Sequence, residues 1–366
     1  TVDPLWSPGV SRVASSRLTH FKRKLHGAFA IEPREYADLH RWSVENPADF
    51  WQAVWEFSAI RAFKIADTPL LDADRFPGAR WFDGARLNYA ENLLNRRDKG
   101  VAIIGRLENG ERREITWPEL HDAVACAAAS LRASGVGVGD RVAGMLPNVP
   151  ETVIAMLATA SIGALWSSCS PDFGVNGVLD RFGQIDPKVL IACDGYYYNG
   201  KTIDCRGKVG EVASQLGSLV TTVVVPVLGG EHGVEGAQGW DAYLDQSRSS
   251  YGAAPALLFE QLPFDHPLFI MFSSGTTGVP KCIVHSGGGT LLQHLKEHQL
   301  HVGLGATDVL FYFTTCGWMM WNWMVTGLAS GATLLLYDGS PFYPGPESLF
   351  DIVDEDRVDV FGVGAK

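Results

Sequence analysis

The chain has 366 residues and a formal net charge of −11, from 30 lysines and arginines against 41 aspartates and glutamates. Hydrophobic residues make up 46% of it and charged residues 19%, which is enough apolar material for a large core and excludes global disorder. The acidic balance argues against a non-specific nucleic-acid binder, because no extended basic stripe faces a phosphate backbone. The length predicts a globular protein of two or three structural units.

Residues 1–98 are rich in tryptophan and poor in strand-like runs, and they predict an N-terminal, aromatic-rich helical segment. Asn46 and Pro47 are expected to begin one helix, as its N-cap and its first-turn proline. The apolar residues that follow recur at helical spacing and are predicted to pack rather than to bind a cofactor: Phe50, Trp51, Val54 and Trp55. The basic run Lys22-Arg23-Lys24 precedes no continuous apolar core, so we predict a solvated patch and no secretory signal.

From residue 99 onwards, short apolar strands alternate with helical patterns. This alternation predicts an α/β domain over 99–366 with mixed, largely parallel sheets and flanking helices. The predicted strands lie at 101–106, 113–116, 142–145, 164–168, 188–192, 220–225 and 268–272. Helices are predicted from 117 to about 135, from 150, and over about 175–185, and residues 226–252 are expected to form a surface loop.

Two local signals mark element ends in this region. Glu108-Asn109-Gly110 predicts the turn of a β-hairpin. Thr116 and Glu119 have the spacing of a capping box, in which each side chain hydrogen-bonds the backbone N–H of the other residue.

Residues 309–337 carry no charge and are long enough to span a membrane. Glycines and Asn322 interrupt the stretch, so we predict a strand at 309–313, a helix at about 319–329 and a strand at 333–337, with no membrane association. The six cysteines lie far apart without a CxxC pair, which predicts neither a disulfide framework nor a zinc knuckle and favours the cytoplasm.

The most informative segment is a polar loop that follows the predicted strand 268–272. It consists of Ser273, Ser274, Gly275, Thr276, Thr277 and Gly278, then Val279, Pro280 and Lys281. Glycines let backbone N–H groups turn towards an anion, hydroxyls add donors, and Lys281 adds a compact positive charge, which together predict a polyphosphate site. The segment is not a Walker A loop, because two residues separate Gly278 from Lys281 and Cys282 replaces the hydroxyl residue. A plain polar turn fits any two of these residues but not the whole run.

Residues 272–281 resemble the phosphate loop of the adenylate-forming enzymes, the AMP-binding superfamily of acyl-CoA synthetases, luciferases and peptide-synthetase adenylation domains. Three further segments, 36–45, 87–94 and 315–323, are similar to those of acetoacetyl-CoA synthetases. The resemblance covers essentially the whole chain and implies the large-domain fold of that superfamily. It also implies that the family continues past Lys366, with adenine, ribose and Mg²⁺ contacts and a C-terminal domain that carries a catalytic lysine.

The resemblance implies an AMP-forming acid–thiol ligase. A carboxylate, here acetoacetate, would attack the α-phosphorus of ATP, pyrophosphate would leave, and coenzyme A would displace AMP. The loop from Ser273 to Gly278 and Lys281 would hold the phosphates, with Lys281 as the catalytic candidate and Mg²⁺ bridging phosphate oxygens. A synthetase for another short-chain acid and a non-catalytic nucleotide-binding module are the alternatives.

The acyl and coenzyme A contacts follow from the same resemblance. Gly317-Trp318-Met319-Met320 matches the position that lines the acyl site of related acetyl-CoA synthetases, with core packing as an equally open interpretation. We hypothesise that Asn322 bonds the keto oxygen. Related enzymes place arginines after the strand 188–192 to bind coenzyme A, and here Lys201 is the plausible phosphate partner.

One motif competes with this interpretation. His294-Leu295-Lys296-Glu297-His298 spells H-x-x-E-H, a zinc-binding pattern on one helical face, with His301 nearby. No third ligand is evident, so a zinc hydrolase is the weakest alternative and we predict no metal ligand. His266 and His285 are expected to be structural histidines rather than general bases.

Overall fold

The computed structural model describes residues 5–248, 252–273 and 278–364. In these ranges the chain forms one sheet of seven strands, one of five, and three short strand pairs, with helices on the faces of the sheets. The predicted α/β class with largely parallel sheets is therefore confirmed. No helix in the described ranges combines the length and the apolar character that crossing a membrane requires.

Helices occur throughout the described residues. Four of them form the N-terminal segment: α1 Val10–Ser15, α2 Arg17–Phe29, α3 Tyr36–Glu45 and α4 Pro47–Phe57. The others are α5 Tyr89–Leu93, α6 Trp117–Ala133, α7 Pro150–Ser161, α8 Val175–Phe182, α9 Arg206–Gln215, α10 Trp240–Asp245, α11 Gly287–Lys296, α12 Met319–Thr326 and α13 Ser348–Glu355. A π-helical turn, Glu297–Val302, extends α11, and a 3₁₀ turn, Gly327–Ser330, follows α12.

The strands of the three short pairs are antiparallel to one another. They are β1 Leu70–Leu71 with β2 Arg80–Trp81, β3 Arg86–Leu87 with β13 Leu262–Pro263, and β9 Gly195–Tyr198 with β10 Lys201–Asp204.

The strands of the five-stranded sheet come from both ends of the α/β region. They are β4 Val101–Leu107, β5 Arg112–Thr116, β16 Val309–Tyr312, β17 Thr333–Asp338 and β18 Val360–Gly362. Their spatial order is β18-β16-β17-β4-β5, and only the β4–β5 pair is antiparallel.

The strands of the seven-stranded sheet lie between those two groups in the sequence. They are β6 Arg141–Met145, β7 Leu165–Cys169, β8 Val189–Cys193, β11 Thr221–Val225, β12 Gln238–Gly239, β14 Pro267–Ser273 and β15 Lys281–Ser286. Their spatial order is β12-β11-β8-β6-β7-β14-β15, and all pairs are parallel except β14–β15. The carboxyl ends of β6, β7, β8 and β14 therefore share one edge with the start of β15.

The uncharged stretch folds into the predicted strand, helix and strand, which are β16, α12 and β17. The helix is shorter than predicted, because its last turn continues as the 3₁₀ turn Gly327–Ser330. Leu334, Leu335 and Leu336 of β17 are fully buried, as both faces of an inner parallel strand should be.

Both local end signals are confirmed. The turn 108–110 joins β4 to β5, and Gly110 has a φ of +89°, which glycine adopts without strain. At the start of α6, the Thr116 N–H donates to Glu119 Oε2 at 2.8 Å and the Glu119 N–H donates to Thr116 Oγ1 at 3.4 Å. The helix thus begins where the sequence indicates.

Asn46 does not cap α4 with its side chain, contrary to the prediction. Its Nδ2 instead donates to the carbonyl of Trp42 at 3.3 Å, because α3 ends where α4 begins. Helix α8 also ends three residues early, at Phe182. Asp186 there has a φ of +45° and precedes a proline, which disfavours helical geometry.

One segment that we predicted as a loop contains regular structure. Residues 226–252 include β12 and α10, and Trp240 and Tyr243 of α10 are buried, so this stretch is not only a surface loop. Strand β15, which the sequence did not predict, follows the polar loop and pairs with β14 as a hairpin.

As predicted, the apolar core and the residues packed against it include Phe50, Trp51, Val54 and Trp55, whereas Trp6 is 67% exposed. Trp55 stacks on Phe82 with ring centroids 4.7 Å apart, and Phe82 lies 5.0 Å from Phe264. One apolar core contains residues of this segment, such as Phe21, together with residues of the α/β region, such as Trp321. The division at residue 98 stays a prediction.

Candidate functional site

The two ends of the predicted phosphate loop lie side by side. Ser273 ends β14, Lys281 begins β15, and the two residues are paired across the antiparallel ladder. Gly278 has a φ of +91°, the left-handed conformation that glycine tolerates. Lys281 is exposed. The remaining loop residues, Ser274, Gly275, Thr276 and Thr277, lie outside the described residues.

The segment that precedes α12 covers the same edge of the seven-stranded sheet. The Ser168 hydroxyl at the end of β7 donates to the carbonyl of Cys316 at 2.6 Å, and the Cys316 thiol donates to the carbonyl of Leu146 at 2.8 Å. A side chain at Gly317 would begin 3.4 Å from the Cα of Cys169. Because carboxyl ends of parallel strands are the usual ligand edge of an α/β sheet, these contacts bring Gly317 to the edge that holds the loop ends.

A cavity of about 670 Å³ lies between β15, α11 and α12, and we call it the α11–α12 cavity. Its lining residues on α12 include two of the predicted acyl-site residues, Met319 and Met320. The other lining residues are Val284, His285, Ser286, Gly289, Thr290, Gln293, His294, Glu297 and Trp323. The phosphate-loop lysine and this cavity therefore share strand β15, with Lys281 at its start and His285 four residues on.

The other predicted acyl-site residues are not among those that line the cavity. Trp318 is 68% exposed. Asn322 is buried, and its Nδ2 donates a hydrogen bond of 3.1 Å to the thioether sulfur of Met271. The Asn322 amide therefore points to the core contact between α12 and β14.

The α11–α12 cavity contains polar groups that the sequence did not assign to it. His285 is half-buried, and burial lowers its pKa. Thr290 is 6% exposed, and its Oγ1 is buried without a hydrogen-bond partner among the described residues. Glu297 accepts hydrogen bonds from Gln293 at 3.1 Å and is paired with Lys296 at 2.7 Å. Thr290 is an ordinary helical residue in the sequence, so no sequence signal identified it.

The two histidines of the H-x-x-E-H motif are buried on α11 and its π-helical extension. His294 Nδ1 lies 2.7 Å from Thr326 Oγ1, and the ring of His298 lies edge-on to Trp323 at 4.3 Å. Burial lowers the pKa of both histidines to about 3. His266 Nε2 contacts the carbonyl of Gly163 at 2.9 Å, which is a structural role.

Lys201 begins β10 in a hairpin whose turn is Asn199-Gly200, and its side chain is exposed. The N–H groups of Asn199 and Gly200 donate to the two carboxylate oxygens of Glu108 at 2.8 and 2.7 Å. The carboxylate of Glu108 also accepts the Ser340 N–H at 2.6 Å. Because Glu108 directly follows β4, these hydrogen bonds connect the hairpin that carries Lys201 to the five-stranded sheet.

Metal ligands are sparse in the part of the chain that the structure describes. No group of three or more His, Cys, Asp or Glu side chains there is arranged to hold a metal ion.

Two family models match the chain. The one described as "AMP-binding enzyme" matches residues 91–363, and the one described as "Acetyl-coenzyme A synthetase N-terminus" matches residues 36–93.

Curated relatives match along nearly the whole chain. It is 52% identical over 99% of its length to the acetoacetyl-coenzyme A synthetase of Rhizobium meliloti (strain 1021) and covers 55% of that protein. It is 45% identical over 99% of its length to the acetoacetyl-CoA synthetase of Gallus gallus, of which it covers 55%. It is 39% identical over 96% of its length to a malonamoyl-CoA synthetase of Penicillium aethiopicum, of which it covers 52%. The chain thus spans about half the length of the curated relatives it matches.

A solved structure also matches nearly the whole chain. The chain superimposes on the acetoacetyl-CoA synthetase of Streptomyces lividans with a TM-score of 0.93 and 44% sequence identity, covering 99% of this chain and 55% of that one.

Proposed function

Because this chain belongs to the AMP-binding enzyme family, we propose that it carries out part of the ATP-dependent ligation of acetoacetate to coenzyme A. In the first step a carboxylate oxygen of the acid attacks the α-phosphorus of ATP and pyrophosphate leaves, which gives an acyl-adenylate. In the second step the thiol of coenzyme A attacks the acyl carbon and AMP leaves. The products are acetoacetyl-CoA, AMP and pyrophosphate.

One geometric observation carries this proposal. The phosphate loop begins at Ser273 and ends at Lys281, which is the first residue of β15. Later residues of β15 line the α11–α12 cavity. A phosphate site and an open cavity for a small organic group are therefore adjacent along one strand. Joining a carboxylate to the α-phosphorus requires this arrangement, because the two reactants must be held in line.

Every predicted site residue except Asn322 has a role in the proposal; Asn322 is left out because its amide contacts Met271 in the core. Residues 273–278 and Lys281 hold the β- and γ-phosphates, and Lys281 neutralises charge that builds up as pyrophosphate leaves. The segment Gly317-Trp318-Met319-Met320 forms the acyl site and its approach, and Lys201 contacts a phosphate of coenzyme A. Mg²⁺, when bound, would bridge phosphate oxygens and keep several waters.

The relatives favour an acid with a second carbonyl group. They include acetoacetyl-CoA synthetases and a malonamoyl-CoA synthetase, and both of these acyl groups carry a neutral carbonyl two carbons from the thioester. Acetoacetate is our choice because the relatives with 52% and 45% identity bear that name. We also propose a cytoplasmic location, since all six thiols are unpaired and five are buried.

The test is acid-dependent exchange between ATP and radioactive pyrophosphate, catalysed by the full-length protein with acetoacetate, acetate or butyrate. Exchange driven chiefly by acetoacetate supports the proposal. Exchange that favours another acid would support the adenylation reaction and contradict acetoacetate as the substrate. No exchange with any acid rejects the reaction and leaves a nucleotide-binding module.

A further inference from the structure

The wall of the α11–α12 cavity contains a buried hydroxyl, that of Thr290. Thr290 lines the cavity, is 6% exposed, and has no partner for its Oγ1 among the described residues. Buried hydroxyls are nearly always paired, because an unpaired one has lost its hydrogen bonds to water without replacing them. A buried hydroxyl without a partner, on a residue that lines a cavity, is therefore a candidate for contact with a ligand.

The second polar group in the cavity is His294, and its hydrogen bond to Thr326 determines which ring nitrogen carries the proton. The Oγ1 of Thr326 lies 2.8 Å from the carbonyl of Asn322, 2.7 Å from the hydroxyl of Tyr89 and 2.7 Å from Nδ1 of His294. A carbonyl can only accept, so the single hydroxyl proton of Thr326 goes to Asn322. Tyr89 and His294 must then both donate to Thr326.

This assignment determines what His294 presents to the α11–α12 cavity. Burial lowers the pKa of His294 to about 3, so the ring is neutral at physiological pH and carries one proton. That proton is on Nδ1, so Nε2 carries a bare lone pair. Nε2 has no hydrogen bond within the described part of the chain, and His294 lines the cavity. The cavity thus has an acceptor at Nε2 and a donor at Thr290.

We propose that the Thr290 hydroxyl donates a hydrogen bond to the β-carbonyl oxygen of the acid, while the lone pair of His294 Nε2 repels that oxygen. The inference rests on the proposed function and deepens it. The pair orients the β-carbonyl group, with its oxygen towards Thr290 and its methyl or amide group towards His294. The site then selects short acids with a neutral β-carbonyl, because a second carboxylate would bring an anionic oxygen against Nε2.

The test compares acetoacetate with butyrate, which has the same chain length and lacks the keto oxygen. In the full-length protein, Thr290→Val removes the hydroxyl at nearly constant volume, and we expect the ratio of the two kcat/KM values to fall ~10-fold through the loss on acetoacetate. Thr290→Ser keeps the hydroxyl and should keep the ratio. If Thr290→Val does not fold, Thr290→Ala makes the same comparison. An unchanged ratio in the variant without a hydroxyl would overturn the proposal.

The role of His294 has its own test with the wild-type protein. We expect turnover of malonamate, whose amide can donate to Nε2, and rejection of malonate. Equal rates with these two acids would overturn the role of His294. Failure of the proposed function is a separate outcome, because it appears as an absence of acid-dependent exchange in the wild-type protein.

Discussion

The backbone N–H of Asn148 donates a hydrogen bond of 2.9 Å to Oδ1 of Asp338, and this bond joins the two large sheets. Asn148 follows β6 of the seven-stranded sheet, and Asp338 ends β17 of the five-stranded sheet. Trp321 Nε1 donates to Oδ1 of Asn148 at 2.8 Å, so α12 is attached to the same junction. The junction therefore positions α12, and with it Met319 and Met320, relative to both sheets.

The ionisation of Asp338 should lower stability between pH 4 and pH 7. Burial, helped by the nearby carboxylates of Asp172 and Glu108, raises its pKa to about 6, against the lowering effect of the Asn148 N–H. Because the folded-state pKa lies above the unfolded value, no stability is lost below about pH 4, the loss accumulates up to about pH 6, and it is constant above that. Asp338→Asn removes this titration.

We compare the free energy of unfolding of Asp338→Asn with that of the wild type. We expect the difference, variant minus wild type, to rise by about 3 kcal/mol from pH 4 to pH 7. Urea denaturation of both proteins at the two pH values measures this difference, and other titrating groups cancel in the comparison. A stability difference between the two proteins that does not change with pH would contradict this assignment.

A buried ion-pair cluster attaches α13 to the β4–β5 hairpin. The side chain of Asp356 is 1% exposed and accepts hydrogen bonds from Nε of Arg106 and, at 2.9 Å, from Nε of Arg112. We expect Asp356→Ala to lower the free energy of unfolding by about 3 kcal/mol, because two charge-assisted hydrogen bonds to a buried carboxylate are lost, one from Arg106 and one from Arg112. Glu355→Ala is the matched control, since Glu355 is 60% exposed and pairs with Arg106 from solvent, so its loss should cost about 0.5 kcal/mol. Equal losses of unfolding free energy in the two variants would show that the burial of Asp356 does not strengthen its ion pairs.

The capping box of α6 predicts a smaller effect. Thr116→Ala removes the side-chain acceptor for the Glu119 N–H and should lower the free energy of unfolding by about 1 kcal/mol. Thr116→Ser keeps the oxygen and should retain most of the stability. Denaturant midpoints of the three proteins provide the measurement, and the interpretation fails if the serine and alanine variants lose the same amount.

Lys281 should matter for ATP and not for folding. Its side chain is exposed and makes no ion pair within the described residues. We expect Lys281→Ala in the full-length protein to lower acid-dependent ATP–pyrophosphate exchange by ~10- to 100-fold, because a positive charge at the leaving pyrophosphate is lost. The melting temperature should stay unchanged. Normal ATP kinetics in Lys281→Ala would remove this role.

The sequence predicted the parts of the fold that depend on local pattern. The stretch 309–337 was interpreted correctly because its glycines and its apolar runs mark a strand, a helix and a strand. Strand β15 was missed because Val284 and its strand neighbours are largely exposed at a sheet edge, without the continuous apolar run of an inner strand. The β9–β10 hairpin was missed although Asn199-Gly200, both with positive φ, is a strong turn signal.

The candidate site was predictable only along single segments. The phosphate loop and Met319-Met320 are contiguous in sequence, so their motifs identified them. Thr290 and His294 belong to the cavity because Thr326 and Tyr89, from two other helices, fix the orientation of α11. Contacts between residues more than 30 positions apart leave no local signal, so the same histidine was read as part of a zinc motif.

The order of strands along the chain also sets the order in which the five-stranded sheet can form. β4 pairs with β5 at once through a short turn, but its other edge pairs with β17, where Ile103 meets Leu334 about 230 residues later. At a synthesis rate of about 5–20 residues per second, that edge waits roughly 10–50 s on the ribosome for its neighbour. Pairing across so long a separation is slow to nucleate. The β4–β5 hairpin is therefore the element of a nascent chain most in need of shielding from other unpaired strands.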